Sequence, residues 1–303
     1  MNAVAHTHRR NHIRQTKASR IFDVCNAIFM LFLVAITLYP FWYVAIISLS
    51  DGKAVLAGKV VLWPVDFTLE SYKLALSDAS IVSGFKNTLI YTTSGTFVNL
   101  AMSMLCAYPL SRPKFIGKGV VMKMIVFTMF FSGGMIPTYL VVNQLNMIDT
   151  IWAMILPGAI STYNMIVIRT FFMSIPESLN ESASLDGAND LQILLRIVIP
   201  CSLPIIATML LFYAVGHWNS YMNALLYLNK KALQPLQSIL RNMVVDGQLT
   251  GSTTDVGGGS SFAVIETTLK YSVIIISTLP ILLIYPFVQK YFVKGVMIGS
   301  VKG

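Results

Sequence analysis

The amino-acid sequence predicts an all-α, polytopic membrane protein with six transmembrane helices. Three features lead there. Of 303 residues, 55% are hydrophobic and 12% charged, against about 25% charged in an ordinary soluble domain. A soluble fold of this size cannot hide so many apolar side chains, whereas a bilayer accepts them. Six apolar stretches are long enough to cross a hydrocarbon core, which takes about 20 helical residues. The basic residues, which give a net charge of +9, border those stretches instead of forming one stripe. That is the pattern of membrane topology, and it excludes a nucleic-acid-binding face.

The elements follow in order. Residues 1–21 form a polar tail carrying Arg9, Arg10, Arg14, Lys17 and Arg20. The apolar run after it is too long for the core of a cleavable signal peptide. One transmembrane domain is expected over 22–293, with spans at about 22–48, 86–110, 119–145, 151–173, 198–228 and 271–293. The link after the second span holds Arg112, Lys114 and Lys118, and a tail over 294–303 holds Lys294 and Lys302. With six alternating spans these basic segments share one side, which the positive-inside rule makes cytoplasmic, so both termini are expected inside. Segments 49–85, 146–150 and 229–270 then lie outside. The stretch from Asn242 to Ser261 is rich in Gly, Ser and Thr. It reads either as a flexible loop or as a contact to an external partner, with Gly251, Gly257, Gly258 and Gly259 as its candidate residues. Gly133, Gly134 and Pro137 in the third span mark close helix packing or a helix broken where it lines a cavity.

The chemistry concentrates in a cytoplasmic loop over 174–197. Ser178 followed by Glu181 is a capping-box pattern, so a short helix is expected to start there. Ala183 and Gly187 stand four apart, on one helical face almost free of bulk, and Gly187 also permits a sharp turn. Glu181 and Asp186 supply charge at the rim. A short polar helix with a flat face, set between two spans, is built to dock on another surface. Elsewhere the signals are bland. Cys25, Cys106 and Cys201 lie in or beside apolar runs with no disulfide or metal spacing. His6, His8 and His12 sit in a polar tail, and neither a nucleophile elbow nor a metalloprotease helix occurs. No metal site and no enzyme activity are expected.

The docking loop resembles the EAA loop of ABC importer permeases. That pattern reads here as Glu181-Ser182-Ala183, then Asp186-Gly187-Ala188, then Ile197, Ile199 and Pro200. Ser182 stands for the usual Ala and Ile199 for the usual Leu. The likeness covers nearly the whole chain and is nearest to the six-span permease of maltose-type oligosaccharide importers, in the polysaccharide-permease branch. It implies the type I importer permease fold, with helices two to six as the core and helix one wrapping a partner. It implies that Glu181, Ser182, Ala183, Asp186, Gly187, Ala188, Ile197 and Pro200 form the ATPase-coupling element. The implied partners are a second permease subunit, two cytoplasmic ATPase subunits, an extracytoplasmic solute-binding protein, a carbohydrate substrate and the lipid of the cell membrane.

No glycine-rich loop ending in Gly-Lys-Ser/Thr is present, and Gly117-Lys118 is followed by Gly119. ATP and magnesium are therefore expected on partner subunits, with no cofactor bound by this chain. Ion-driven carriers place acids deep in the membrane. Here the expected spans carry none near mid-depth, and His217 is a lone residue in the outer part of span five. For a sugar path, amides and hydroxyls beside aromatic faces are the suitable groups. The candidates are Tyr163, Asn164, Trp218, Asn219, Tyr221 and Asn223, with an interfacial aromatic belt as the other reading of Trp218 and Tyr221. The expected function is half of an ATP-driven pathway for an oligosaccharide. A permease for another small solute, or an ion-coupled carrier without an ATPase, are the alternatives.

Overall fold

The computed structural model describes residues 16–245 and 261–300, with side chains of the last helix over 267–286. Among these residues every regular element is helical. Helix α1 (Lys17–Ser48) starts at Thr16, whose hydroxyl accepts the Ser19 N–H at 3.3 Å. Two short helices, α2 (Gly52–Leu56) and α3 (Glu70–Ser77), lead to α4 (Ala79–Ser111). Asp78 caps α4 by accepting the N–H groups of Ser80 at 2.7 Å and Ile81 at 3.2 Å. The helix stops at Arg112, with ψ 139°, because Pro113 disfavours the helical conformation for the residue before it.

The next three spans are broken. Helices α5 (Lys118–Phe130) and α6 (Met135–Gln144) meet at 111°. The hinge is Gly134, whose φ of 85° and ψ of −179° fall in a region that is essentially glycine's alone. Helix α7 (Ile151–Ile155) tightens into a 3-10 turn, Leu156–Gly158, around Pro157, and turns by 56° into α8 (Thr162–Phe172). Then come α9 (Glu177–Leu185), α10 (Asp190–Ile193), a π turn over Leu194–Val198 and α11 (Ile199–Cys201). The stretch Asp190–Cys201 lies at 88° to α12 (Leu203–Trp218). Helices α13 (Met222–Tyr227) and α14 (Leu236–Val245) precede α15 (Ser261–Ser300).

Three long helices and three bent pairs thus supply six membrane-crossing units. Span three is interrupted at Gly133-Gly134, in keeping with the broken-helix reading of those residues, while spans four and five, expected as single apolar helices, are interrupted at Pro157-Gly158 and around Ser202. The expected fifth span also divides again after Trp218, where α12 gives way to α13. Hydropathy counts apolar residues and is blind to such breaks, because glycine and proline act on backbone angles and hydrogen bonds instead.

Two apolar clusters hold the bundle. One joins α4, α8 and the α10–α12 stretch through Ala107, Met165, Ile168, Phe172, Val198 and Met209. The other, toward the far end of α4, joins α3, α4, α14 and α15 through Ala75, Ile81, Leu236, Ile239, Leu269 and Val273. At that far end Leu236 donates its N–H to the Thr88 hydroxyl at 2.8 Å, and Asn87 donates to the Ala232 carbonyl at 2.7 Å. Asp149 clamps the neighbouring loops by accepting the N–H groups of Asn229 at 2.6 Å and Lys230 at 3.0 Å. Those donors, Lys230 first, hold its carboxyl below the usual range. Elsewhere the apolar surface is bare: α5 buries no residue, α6 buries only Val142, and α1 buries only Ile46, Ile47 and Ser48. So much exposed apolar surface suits lipid or a partner helix, not water.

Candidate functional site

Helix α9 begins one residue after Pro176, with Glu177 in its first turn, where a carboxylate favours the positive end of the helix. The capping box expected at Ser178 and Glu181 does not form. Pro176 starts the helix early enough to put Ser178 inside it, and Glu181 turns outward to Lys114, 3.9 Å away. The reciprocal box forms in the following helix. There Asn189 accepts the Gln192 N–H at 2.9 Å, while Gln192 accepts the Asn189 N–H at 3.0 Å.

The end of α9 is a complete Schellman motif. The Gly187 N–H reaches the Ser184 carbonyl at 3.1 Å, and the Ala188 N–H reaches that of Ala183 at 3.0 Å. Gly187 adopts φ +81°, the left-handed conformation this motif asks for. This corrects the expected flat face. Gly187 terminates the helix instead of sharing a face with Ala183, and Ala183 turns inward with Ala188 onto the apolar cluster. What α9 presents outward is Glu181, Ser182, Asp186, Gly187 and, above all, Leu185, which is 89% exposed. A lone Leu between Ser184 and Asp186 was the one sequence signal for that projection.

The wedge is fastened to the link after α4. Arg112 Nη1 meets Glu177 Oε2 at 3.4 Å, and its guanidinium lies 4.4 Å from the Tyr108 ring centre. Asn180, buried, donates to the same Glu177 oxygen at 3.4 Å. Arg169 of α8 donates Nε to the Leu110 carbonyl at 2.8 Å, and Lys118 donates to that of Arg112 at 3.3 Å. Between link and wedge lies a cleft of about 790 Å³, lined by Tyr108, Phe115, Asn180, Leu185 and Ile193 among others. Sequence reasoning used Arg112 only for topology and missed Tyr108 and Arg169, because tertiary folding alone brings them to the wedge; it also passed over Asn180, which lies in the wedge itself, three residues from its partner Glu177. Ile197 and Ile199 pack on the same apolar cluster. Pro200, which has no N–H to give, lies two residues past the π turn. The α10–α11 stretch thus leads from the wedge to the base of α12, with the bend at Ser202 between them.

The candidate path residues separate. Trp218 is buried, donates its indole N–H to the Ser277 carbonyl at 2.9 Å and meets Phe85 edge-on at 5.9 Å. Those contacts commit it to packing α12 against α15 and α4. Asn219 donates to the Val215 carbonyl at 3.0 Å, at the break where α12 ends. Tyr221 is exposed there and Asn223 half-buried. Tyr163, 57% exposed, and Asn164, buried, stand in the first turn of α8. Among the described residues no side-chain hydrogen bond joins the 163–164 pair to the 219–223 group. Gly251, Gly257, Gly258 and Gly259 lie outside the described residues, as do His6, His8 and His12.

Comparison with known proteins places this geometry. The family profile described as "Binding-protein-dependent transport system inner membrane component" matches residues 4–298. The polygalacturonan/rhamnogalacturonan transport system permease protein YtcP of Bacillus subtilis is 46% identical over 286 residues, which are 94% of this chain and 99% of the relative. Protein LplC of the same organism is 43% identical, over 96% of this chain and 98% of its own. Among solved structures, a chain of a bacterial ABC transporter involved in import of the acidic polysaccharide alginate superposes with a TM-score of 0.84. It is 35% identical and covers 92% of this chain and 99% of that one. A chain of an alginate ABC transporter solved in complex with a pentasaccharide-bound periplasmic protein shares the fold at 16% identity, with a TM-score of 0.58.

Proposed function

This chain belongs to the family of binding-protein-dependent transport system inner membrane components, and from that premise we propose that it forms half of the translocation pathway of an ATP-driven oligosaccharide importer. It is a multi-pass transport subunit. In the proposed assembly it pairs with a second permease, rests on two ATPase subunits that hold ATP and magnesium, and receives substrate from an extracytoplasmic binding protein. The α9 end faces the cytoplasm, with both termini on that side. One relative is named for polygalacturonan/rhamnogalacturonan transport, and one solved neighbour belongs to an importer of the acidic polysaccharide alginate, so uronate-bearing fragments are the first substrates to test.

One observation carries the reading: α9 is a rigid wedge, closed by Gly187, that projects Leu185 beyond the bundle while Arg112 and the α10–α11 stretch tie it to two spans. When the ATPase pair closes, a helix seated in it must move, and a helix fastened this way moves α4 and α12 with it as rigid bodies. Leu185→Glu tests this. The side chain is 89% exposed, at the rim of the cleft, so insertion and thermal stability should stay near wild type. Association with the ATPase subunits and binding-protein-stimulated ATP hydrolysis should fall by tenfold or so, the cost of about 1.4 kcal/mol at one interface anchor. Full uptake by this chain in vesicles that contain no ATPase would reject the importer reading in favour of a carrier.

A further inference from the structure

The segment between α2 and α3 holds an arrangement that the transport reading does not use. Val60 is buried with Ile46, Ile47 and Ala54, and the Val65 N–H is held by the Ser50 hydroxyl at 3.1 Å. The backbone between these anchors is therefore fixed. Yet Val61, Leu62 and Trp63 are all exposed, Trp63 at 71%. Three consecutive apolar side chains held outward by a fixed backbone would be costly in water.

Their neighbours identify the surroundings. Trp42 of α1 donates its indole N–H to the Leu62 carbonyl at 2.8 Å, and Tyr39 donates its hydroxyl to the Val61 carbonyl at 3.4 Å. Trp42 also meets Trp63 edge-on at 5.8 Å. The segment thus lies along the face of α1 that carries Tyr39 and Trp42. None of the apolar window of α1 is buried inside the chain. Twenty helical residues cross a hydrocarbon core of about 30 Å. Counted from Phe22, that distance ends near Trp42, which puts Trp42 and Trp63 at the membrane boundary far from α9. A backbone carbonyl at that depth needs a donor from the protein, and the carbonyls of residues 61 and 62 each have one. Indoles favour this boundary, where the ring sits among acyl chains and the N–H among headgroups. Lys59, exposed beside them, suits the phosphate layer.

We propose that residues 59–63 are an interfacial strap that lies on the phospholipid surface of the leaflet far from α9, with Leu62 and Trp63 in its acyl boundary, and that fixes the depth of the end of α1. The strap depends on α1 being a membrane span, and not on what the importer carries. The test uses the assembled importer in liposomes. Trp63→Cys or, as a second position, Leu62→Cys is introduced with Cys25→Ser, Cys106→Ser and Cys201→Ser, and a nitroxide is attached. Collision with oxygen should exceed collision with a water-soluble nickel chelate at both positions, and brominated lipids should quench a fluorophore at the same sites. Preference for the nickel chelate would place the strap in water. Protection from both reagents would place it under a partner protein. Either outcome overturns the proposal and leaves the transport function standing.

Discussion

Arg112 shows how one side chain serves the wedge. It ends α4, stacks on Tyr108 from the last turn of that helix and reaches Glu177 in the first turn of α9. A guanidinium stacked and paired in a half-buried place is worth about 1–2 kcal/mol, which is enough to set how firmly the wedge is seated. Arg112→Ala should therefore lower substrate-stimulated ATP hydrolysis by about tenfold at unchanged membrane insertion, since about 1.4 kcal/mol is one decade. Arg112→Lys should recover only part of it, because an ammonium keeps the charge but loses the planar stacking face. Equal loss in both variants would show that stacking alone matters, and no loss in either would remove Arg112 from the coupling. At this scale the sequence singled out Glu181, Asp186 and Gly187 as candidates, because their spacing is local to one short helix and its end. It did not disclose Arg112 or Tyr108 as part of the site, because their meeting with the wedge depends on a contact across 65 positions of chain, and it passed over Asn180, whose partner Glu177 is only three residues away. It also misjudged Ala183, since a small residue looks the same whether it faces a partner or its own core.

Among the helices, α4 and α12 approach each other closely at a glycine, Gly95. A side chain at Gly95 would put its first carbon 2.5 Å from Nε2 of His217, inside the van der Waals limit. About two turns along α4 and one along α12, the Ser103 and Tyr213 hydroxyls share a hydrogen bond at 2.7 Å. Gly95→Ala should therefore separate the two helices and destabilise the protein by about 1–3 kcal/mol, read as a fall in the thermal midpoint in detergent. The double variant Gly95→Ala with His217→Ala should regain most of that loss, because the opposing ring is gone. Additive losses would mean that the clash is not the cause. His217 was read from the sequence as a lone polar residue in a span; its place against a glycine is a fact of packing, and no pattern along either helix announces it. The same holds for the bent spans. Gly134, Pro157 and Pro200 were visible as residues, but whether each kinks, breaks or merely sits in a helix depends on which backbone groups the rest of the fold can satisfy. The long helices α1, α4 and α15 were readable, since a sustained apolar run has no competing interpretation.

Over the whole molecule, the distribution of surface fits the proposed mode of action. The bundle is sealed at the α9 end and at the opposite end by separate apolar clusters, while α5 and α6 bury almost nothing inside the chain. A chain built this way is half of something, with its own rigid part on one side and an apolar face awaiting lipid or a partner on the other. Force delivered at α9 can then travel by two routes: through Arg112 to α4, and through the α10–α11 stretch to α12. If both routes are rigid, the link and the wedge keep their separation through the whole cycle and the spans tilt around the opposite end. Lys114 and Glu181 sample that separation directly, since their charged ends lie 3.9 Å apart across it, and as an exposed pair they contribute little stability of their own. Joining Lys114→Cys and Glu181→Cys with a short flexible bismaleimide, in a chain whose three native cysteines are replaced by serine, should leave ATP-driven uptake within about twofold of the unlinked protein. That limit corresponds to about 0.4 kcal/mol on the barrier. A wedge that slides against the link during transport would instead be arrested by the same bridge, with ATP hydrolysis and uptake lost together and both restored when a cleavable linker is cut.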